Sequence, residues 1–425
     1  MKFLTIREAM KRGSGEITIR GWVYRERGSS QFKFIVLRDA TDIIQTVIKK
    51  EKIGDKKFQL ADKIQVEASM EITGTIRKDH RAPTGYEIEV NDFKVIGESD
   101  KYPITEKQSK EFLMDMRHLW IRSRKATQVL KIRSEVFKAI HDFYRSRGFI
   151  EFQSPIFTTN ACEGGSTLFE VPYFGKKGVY LSQSWQLYAE AGIFGLEKIY
   201  TVTPAFRAEK SRTSRHLSEY WTAEMEASWM DYEELLRHQE DLILHIVSHI
   251  LKTCKKELRE LGRDTKELEK LKKPFLRIRY KDAIKKLGLK QGHDLTDKEE
   301  RKLVEMLGSK PIFLTHFPRD MKAFYMKVDP KDPKTVLAAD LLISKVGEVT
   351  GGSERISDQK ELLESLKLFK LSKSDYEWYL DLRKYGTVPH SGFGLGIGRL
   401  VMWIAGTEHI MDTIPFPRTM VRYKP

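Results

Sequence analysis

Apolar and polar residues alternate through most of the first hundred positions, in five segments with little sign of a helix between them. Short turns that contain Gly, Ser, Asp or Pro separate the segments. Alternation with a period of two is typical of strands that have one covered face. The segments are residues 16–25, 32–40, 43–50, 64–78 and 86–97. The pattern therefore predicts a small closed antiparallel β-barrel in a first domain, residues 1–98.

A five-stranded barrel of this length is typical of the OB-fold, which commonly presents aromatic and basic side chains to single-stranded bases. Three residues are candidates for such contacts. Phe34 could stack on a base, Gln45 could hydrogen-bond one, and Arg27 could contact a base or a phosphate. The alternation alone leaves both the barrel core and the exposed face open for Phe34.

After the barrel the pattern becomes a mixture of helical and extended periods. Residues 99–122 carry many charges and Pro103, which predicts a linker or hinge. Apolar residues then recur at helical spacing over 129–147 and 232–261, with strand patterns between and after them. These features predict an α+β second domain, residues 123–425, with an antiparallel sheet flanked by helices. Neither GxxxxGK[ST] nor a parallel βαβ rhythm occurs, which excludes P-loop and Rossmann folds.

The most concentrated chemistry lies in residues 203–231, where arginines, a histidine and carboxylates stand among aromatic residues. The pattern predicts strand, loop and strand, with Arg207 and Glu209 on the first strand and Arg215 and His216 in the loop. Guanidinium groups on a rigid sheet suit a polyphosphate substrate, because their fork geometry binds phosphate oxygens in pairs. The alternative is a buried Arg–Glu network that only holds a hairpin. The density of charge favours a site, since buried charge is costly unless it is paired or used.

Composition indicates which kind of partner and which compartment to expect. The formal net charge is +15, which favours a polyanionic partner, although a lysine-rich solvated surface gives the same balance. Residues 262–312 are rich in lysine and weakly periodic, and we interpret them as a peripheral insertion without chemistry. Two cysteines are too few for a zinc site or a disulfide framework, and neither an export signal nor a membrane-length apolar run is evident. We therefore expect a cytoplasmic protein without a membrane partner.

Three groups of residues resemble the motifs of the class II aminoacyl-tRNA synthetases. FRAE, RHL and EYWTAEME within residues 206–226 resemble motif 2, and the helix over 129–147, followed by a strand with Pro155, resembles motif 1. The alternating glycines of residues 392–398, followed by Arg399, resemble motif 3. The closest match is the class IIb group, the archaeal-type asparaginyl and aspartyl enzymes. The resemblance implies an anticodon-reading OB-fold barrel, a class II antiparallel sheet of six or seven strands, and a homodimer with Pro155 at its interface.

The resemblance also implies roles for individual residues. The expected catalytic residues are Arg207, Arg399 and Glu348. The residues expected to bind ATP are Arg207, Glu209, Arg215, His216, Leu217, Tyr220, Glu348, Gly396 and Arg399. The residues expected to bind asparagine are Glu163, Gln186, Glu190, Arg207 and Arg355, and those expected to bind the anticodon are Arg27, Phe34 and Gln45. Glu348 would hold Mg²⁺ for the ATP, while Asp340 is equally open to a metal role and to a plain strand-end position.

The amino-acid substrate is indicated by the segment after the Q-L-Y sequence, where aspartyl relatives carry a lysine that pairs with the substrate carboxylate. Here that position is Ala189. Glu190, which is predicted to share a helix face with Gln186, could accept hydrogen bonds from a carboxamide but would repel a carboxylate. Gly351, which is a serine in aspartyl relatives, also favours asparagine over aspartate. Motif 3 departs from the family pattern at Gly398, because an acidic residue usually precedes the motif 3 arginine.

The resemblance therefore implies an asparagine–tRNA ligase activity, in which L-asparagine is activated with ATP and Mg²⁺ and transferred to tRNA(Asn). Three alternatives stay open. The first is an aspartyl-tRNA synthetase, including a non-discriminating one, and the second is a paralogue that makes free asparagine. The third, from a different class, is a non-catalytic RNA-binding protein. The retained Arg207 and Arg399 argue against the third.

Overall fold

The computed structural model describes residues 3–105, 107–162, 167–211 and 213–424. The chain divides into two compact units, residues 1–110 and residues 111–425. The division falls inside the segment expected to be a linker, which also holds two short helices, α3 (Lys110–Asp115) and α4 (Arg117–Trp120).

The first unit is a closed five-stranded barrel with the strand order β1-β2-β3-β5-β4. Its elements are α1 (Ile6–Arg12), β1 (Gly15–Gly28), β2 (Phe32–Arg38), β3 (Ile43–Lys49), α2 (Lys50–Asp62), β4 (Ser69–Lys78) and β5 (Tyr86–Gly97). Every second residue of β2, such as Ile35 and Leu37, fills the barrel core, as its alternation predicts. The predicted barrel is therefore confirmed. One pair differs from the antiparallel expectation, because β3 and β5 run parallel after α2 and β4 intervene between them.

The second unit contains the remaining helices and strands. Its first half comprises α5 (Arg124–Arg145), β6 (Ile150–Glu151), β7 (Phe157–Thr158), β8 (Tyr180–Leu181), α6 (Gln186–Leu196), β9 (Lys198–Phe206), β10 (Glu219–Ser228), α7 (Tyr232–Thr253), α8 (Lys255–Glu260) and α9 (Lys266–Glu269). Its second half comprises β11 (Leu276–Arg279), α10 (Tyr280–Leu287), α11 (Asp297–Met306), β12 (Ile312–Thr315), β13 (Val328–Asp329), β14 (Asp332–Val336), β15 (Ala338–Ile343), β16 (Gly347–Glu354), α12 (Gln359–Leu368), α13 (Glu377–Lys384), β17 (His390–Gly396) and α14 (Ile397–Ala405). The helix predicted over 232–261 is thus broken at Cys254.

The main sheet has eight strands in the order β11-β12-β15-β16-β17-β10-β9-β6. The six or seven strands expected from the resemblance were too few. The outermost pair at each edge, β11 with β12 and β6 with β9, is parallel. A parallel pair needs a crossover connection, which α10 and α11 provide at one edge and α6 at the other. The four central pairs from β15 to β9, and the β12–β15 pair, are antiparallel.

Helices α5, α7 and α14 cover one face of this sheet. Their apolar residues share a core with alternate residues of β10, namely Ala223, Met225 and Ala227. Because successive side chains of a strand point to opposite faces, Glu224 and Glu226 of β10 lie on the other face. The sheet therefore offers a buried helical side and a charged side.

Candidate active site

The charged face of the sheet forms the floor of a cavity of about 970 Å³. Glu224 and Glu226 of β10, Gly394 of β17 and Gly351 of β16 lie on its wall. Most of the predicted site residues also line it: Gln186, Arg207, Glu209, Arg215, His216, Leu217, Tyr220, Asp340, Glu348, Arg355, Gly396 and Arg399. Residues that are up to 213 positions apart in the sequence, from Gln186 to Arg399, thus meet in one place.

Cationic side chains reach one end of the cavity from separate elements. Arg207 directly follows β9, and its guanidinium lies 5.7 Å from the centre of the Tyr220 ring. Glu209 is two residues further on and lies in the loop, because β9 ends at Phe206 rather than continuing through Glu209 as predicted. Arg399, in the first turn of α14, donates to the carboxylate of Glu348 at 2.9 Å and to its backbone carbonyl at 3.0 Å.

His216 lies beside Arg399, with its Nε2 3.4 Å from the Arg399 guanidinium. Burial, together with repulsion from Arg399 and Arg215, lowers the pKa of His216 to about 4. The imidazole is therefore neutral at physiological pH. Because a guanidinium only donates, Nε2 accepts in the contact with Arg399 and the ring proton lies on Nδ1, beside Ser211 Oγ and Thr213 Oγ1. A phosphate in place of this contact would receive a hydrogen bond from Nε2 in the other neutral tautomer.

Arg215 has a carboxylate partner of its own. Its guanidinium binds both oxygens of Glu300, from α11, and the pair is almost fully buried. The same Glu300 accepts a hydrogen bond of 2.8 Å from the backbone N–H of Glu348. The contact expected between Arg215 and the outer phosphates stays a prediction, and this pair would have to open to allow it.

Two carboxylates, Asp340 and Glu348, face the same space above Gly351. A Cβ atom at Gly351 would lie 3.3 Å from Asp340 Oδ1 and 3.4 Å from Glu348 Oε1. Lys322 binds Asp340 at 2.5 Å. Burial disfavours the charged form of Glu348, but Arg399, Lys322 and Arg215 outweigh it and lower the pKa of Glu348 to about 2. Burial raises the pKa of Asp340 to about 7 despite Lys322, and repulsion from Glu348 adds to this rise.

The other end of the cavity is built on a buried ion pair between Arg355 and Glu226. Both Arg355 Nε and Nη2 donate to the Glu226 carboxylate at 3.0 Å, and Arg355 Nη1 donates to Ser353 Oγ at 2.8 Å. Burial raises the pKa of Glu226, although Arg355 opposes this rise. Glu226 was not among the residues predicted from the sequence. It stands two residues after Glu224 in an alternation with the apolar Ala223 and Met225, which could have placed both glutamates on the same face of the strand.

In the barrel, the three predicted anticodon residues have different surroundings. Phe34 is half-buried on the outer face of β2, with the Arg27 guanidinium 5.1 Å from its ring centre and the Phe32 ring 6.5 Å away. Gln45 is nearly buried and donates to Glu87 at 2.7 Å. Phe34 is thus outside the barrel core, which leaves its ring available for stacking.

The family model for tRNA synthetases class II (D, K and N) matches residues 109–420, and the model for the OB-fold nucleic acid binding domain matches residues 17–96. The chain belongs to the class II tRNA synthetases. The predicted family and the predicted arrangement of a barrel before a class II domain are therefore confirmed.

This synthetase is similar to asparaginyl enzymes over nearly its full length. The chain is 47% identical to the asparagine–tRNA ligase of Thermoplasma acidophilum, over 96% of each chain. It superposes with a TM-score of 0.96, at 42% identity and over 100% of each chain, on asparaginyl-tRNA synthetase from Pyrococcus horikoshii complexed with asparaginyl-adenylate. The asparaginyl-tRNA synthetase of Entamoeba histolytica in complex with asparaginyl-adenylate gives a TM-score of 0.88 at 36% identity, over 97% of each chain.

Glu190 of the synthetase shares a helix face with Gln186, as predicted, but it is not among the residues that line the cavity. Its side chain is fully buried behind the cavity wall. Its oxygens accept hydrogen bonds from Gln186 Nε2 at 3.0 Å, Tyr379 OH at 2.7 Å, His390 Nε2 at 2.9 Å and Arg383 Nη2. The predicted direct contact between Glu190 and asparagine is not supported by this arrangement, because Glu190 does not line the cavity and four protein donors surround its carboxylate.

The expectation of a peripheral segment over 262–312 was also wrong for part of that segment. Besides Glu300, four residues just before and at the start of α11 line the cavity: Asp294, Leu295, Thr296 and Asp297. Helices α10 and α11 are amphipathic and pack apolar residues such as Ile284 and Leu303 into a core with β12, but the site partners of Glu300, namely Arg215 and Glu348, are 85 and 48 residues away in sequence. No local pattern could therefore have shown that it closes one wall of the site.

Three further expectations concern Glu163, Pro155 and Ala189. Glu163 lies outside the described residues. Pro155 lies between β6 and β7, and its role at a dimer interface stays a prediction. Ala189 packs in an apolar cluster with Trp185 and Ile193 and does not line the cavity. Within the described parts of the synthetase, no helix is both long and apolar enough to span a membrane.

Proposed function

We propose that this synthetase is an asparagine–tRNA ligase, which forms asparaginyl-adenylate from L-asparagine and ATP and transfers the asparaginyl group to tRNA(Asn). The observation that carries the proposal is the full-length likeness to an enzyme crystallised with asparaginyl-adenylate. The cavity supports it, since it has a cationic end for a nucleotide and a buried Arg–Glu end for a polar amino acid.

In the first step a carboxylate oxygen of asparagine attacks the α-phosphorus of ATP in line. The new bond joins the carboxyl oxygen to phosphorus, and the bond to the β-phosphate oxygen breaks, so that pyrophosphate leaves. Arg207 would neutralise charge on the α-phosphate, while Arg399 and neutral His216 would hold the outer phosphates. Tyr220 would stack on adenine. No protein nucleophile is required, because positioning and charge neutralisation supply the catalysis.

Asp340 and Glu348 fit a magnesium site. Two carboxylates that face one open space beside a phosphate-binding end match the preference of Mg²⁺ for one or two carboxylates together with phosphate oxygens. The bound ion would neutralise charge that develops on the leaving pyrophosphate. Lys322 binds Asp340 and Arg399 binds Glu348, which fixes the positions of the two carboxylates.

Asparagine rather than aspartate is favoured by the pair at the amino-acid end. A carboxamide offers both a donor and an acceptor, and Arg355 with Glu226 presents the complementary acceptor and donors side by side. An aspartate carboxylate would instead face Glu226 and be repelled. This gives Glu226 the discriminating role that the sequence analysis assigned to Glu190.

The second step transfers the asparaginyl group from the adenylate to a ribose hydroxyl at the 3′ end of tRNA(Asn), and AMP leaves. Arg27, Phe34 and Gln45 on the barrel would read the anticodon. A homodimer would form through the edge near Pro155, where Ile150, Ile156 and Phe157 are 40–49% exposed although they are apolar. We place the enzyme in the cytoplasm, where its tRNA substrate is charged.

Acylation of a tRNA transcript with an asparagine anticodon tests the proposal. With ATP and Mg²⁺, asparagine should become esterified to the tRNA, whereas aspartate should not. Esterified aspartate would identify an aspartyl enzyme. Release of free asparagine from aspartate and ammonia, without any esterified product, would identify the amidating alternative.

A further inference from the structure

Glu190 and Gln186 are one helical turn apart on α6, and only Gln186 reaches the cavity wall. The Gln186 side-chain amide has two possible orientations, with either its NH₂ group or its oxygen toward Glu190. A carboxylate only accepts hydrogen bonds, so an amide oxygen turned toward it would leave two acceptors in contact. Gln186 therefore donates one N–H to Glu190. The acceptor that Gln186 can offer to the cavity is its carbonyl oxygen, beside its second N–H.

The rest of the Glu190 environment makes this orientation rigid. Tyr379 OH donates to the same carboxylate oxygen as Gln186, and Arg383 and His390 hold the other oxygen. Arg383 also donates to the backbone carbonyl of Ile356 at 2.8 Å, directly after Arg355. The buried Glu190 carboxylate is thus linked to Gln186, which supplies an acceptor. Through Arg383 it is also linked to the backbone beside Arg355, which supplies donors.

Glu190, Glu226 and His390 also bring ligand-type atoms within 4.8 Å of one another, which is the spacing of a metal site. Arg383 binds Glu190 and Arg355 binds Glu226. A metal ion would have to displace both guanidinium groups in a buried space, so the cluster is better explained as a protein network.

We propose that Glu190 is a positioning residue for the amino-acid substrate. It fixes the Gln186 amide so that its oxygen accepts a hydrogen bond from asparagine, either from the ammonium group or from the carboxamide NH₂. The inference rests on the proposed function for the identity of the substrate. Glu190 itself makes no contact with the substrate.

The test is a double-mutant cycle in amino-acid-dependent ATP–pyrophosphate exchange. E190Q lets the Gln186 amide turn, so its KM for asparagine should rise about tenfold or more, while its KM for ATP stays within about twofold of the wild type. Q186A should raise the asparagine KM by a similar factor. In the double variant the two effects should not multiply, because Glu190 acts through Gln186. E240Q, which alters a buried glutamate of α7 outside the cavity, is the matched control and should leave both KM values unchanged.

Two outcomes overturn the inference: an asparagine KM unchanged in E190Q, or effects of E190Q and Q186A that multiply in the double variant. Should E190Q fail to fold, E190D decides, since it keeps the charge that Arg383 needs but withdraws the oxygen from Gln186; an unchanged asparagine KM in E190D overturns the inference as well.

Inhibition by aspartate separates the two donors. Weaker aspartate binding in E190Q assigns the ammonium group, and unchanged or tighter binding assigns the carboxamide. Wild-type exchange driven by another amino acid would refute the proposed function alone, because the same cycle run with that amino acid still decides the role of Glu190.

Discussion

At the residue scale, Arg207 has the clearest single role in the proposed chemistry. It stands at the end of a rigid strand beside Tyr220 and on the wall of the cavity. A donor aimed at the charge that develops in the transition state is worth roughly 10²–10³ in rate. R207A should therefore lower asparagine-dependent exchange by at least about a hundredfold, while its binding of tRNA, measured by filter retention, stays close to that of the wild type. Exchange at the wild-type rate would remove Arg207 from the mechanism.

His238 of α7 provides a prediction about stability at the same scale. Its ring lies among Phe143, Tyr144 and Phe149, and its buried Nε2 has no hydrogen-bond partner within the described residues. Burial lowers the pKa of His238 to about 4, below the value of about 6.5 expected for an unfolded chain. Between these two values the unfolded chain binds the extra proton, so the free energy of unfolding must rise with pH over this window.

H238F removes this titration. Urea unfolding should show that the loss of stability between pH 7 and pH 5 is smaller in H238F than in the wild type, by up to about 2 kcal/mol. H118Q, which alters an exposed histidine, is the control and should lose as much as the wild type. Equal losses in all three proteins would show that His238 is not the group responsible.

At the element scale, α11 is the helix whose part in the site was least expected. Through Glu300 it holds both the Arg215 guanidinium and the backbone N–H of Glu348. E300Q keeps the shape but removes the charge, so Glu348 should lose its fixed position and the Mg²⁺ concentration for half-maximal exchange should rise by roughly tenfold, since a hydrogen bond to a charged group contributes about 1.5–3 kcal/mol.

The control for this prediction comes from the same helix. E305Q changes an exposed glutamate of α11 and should leave the Mg²⁺ dependence unchanged. Equal Mg²⁺ dependence in E300Q and E305Q would mean that α11 only covers the site and does not position Glu348.

The elements also show how much of the fold and of the site could be predicted from the sequence. The barrel strands, β9, β10 and the glycine-rich β17 follow from local alternation and from the motifs, because one covered face fixes the period of a strand. The i,i+4 pairing of Gln186 with Glu190 follows from helical spacing and is present. The partners of Glu190 and Arg215 could not be predicted, because Arg383 and Glu300 reach them from 193 and 85 residues away. Such pairs depend on tertiary packing, which leaves no local pattern.

At the scale of the whole molecule, the proposed function assigns anticodon reading to the first unit and the chemistry to the second. If Phe34 stacks on an anticodon base, F34A should lose about 1–3 kcal/mol of tRNA interaction, or about fivefold to more than a hundredfold in kcat/KM for tRNA. Exchange without tRNA should be unaffected, because the cavity is built from the second unit alone.

Trp22 provides the matched control for F34A. It is an aromatic residue of the same barrel, 47% exposed, on β1 opposite Arg38 rather than near Arg27. W22A should charge tRNA at the wild-type rate. A parallel loss of charging and exchange in F34A would instead indicate that the substitution damages folding.

In the proposed function, one cavity holds ATP at its cationic end and asparagine at its Arg355–Glu226 end. ATP–pyrophosphate exchange with asparagine and aspartate, measured side by side on the wild-type protein, tests it most directly. We predict exchange with asparagine and at least about a hundredfold lower kcat/KM with aspartate, since a site built to pair a specific polar group rejects an analogue that leaves it unpaired. Equal exchange with both amino acids, or exchange with aspartate alone, would contradict the account.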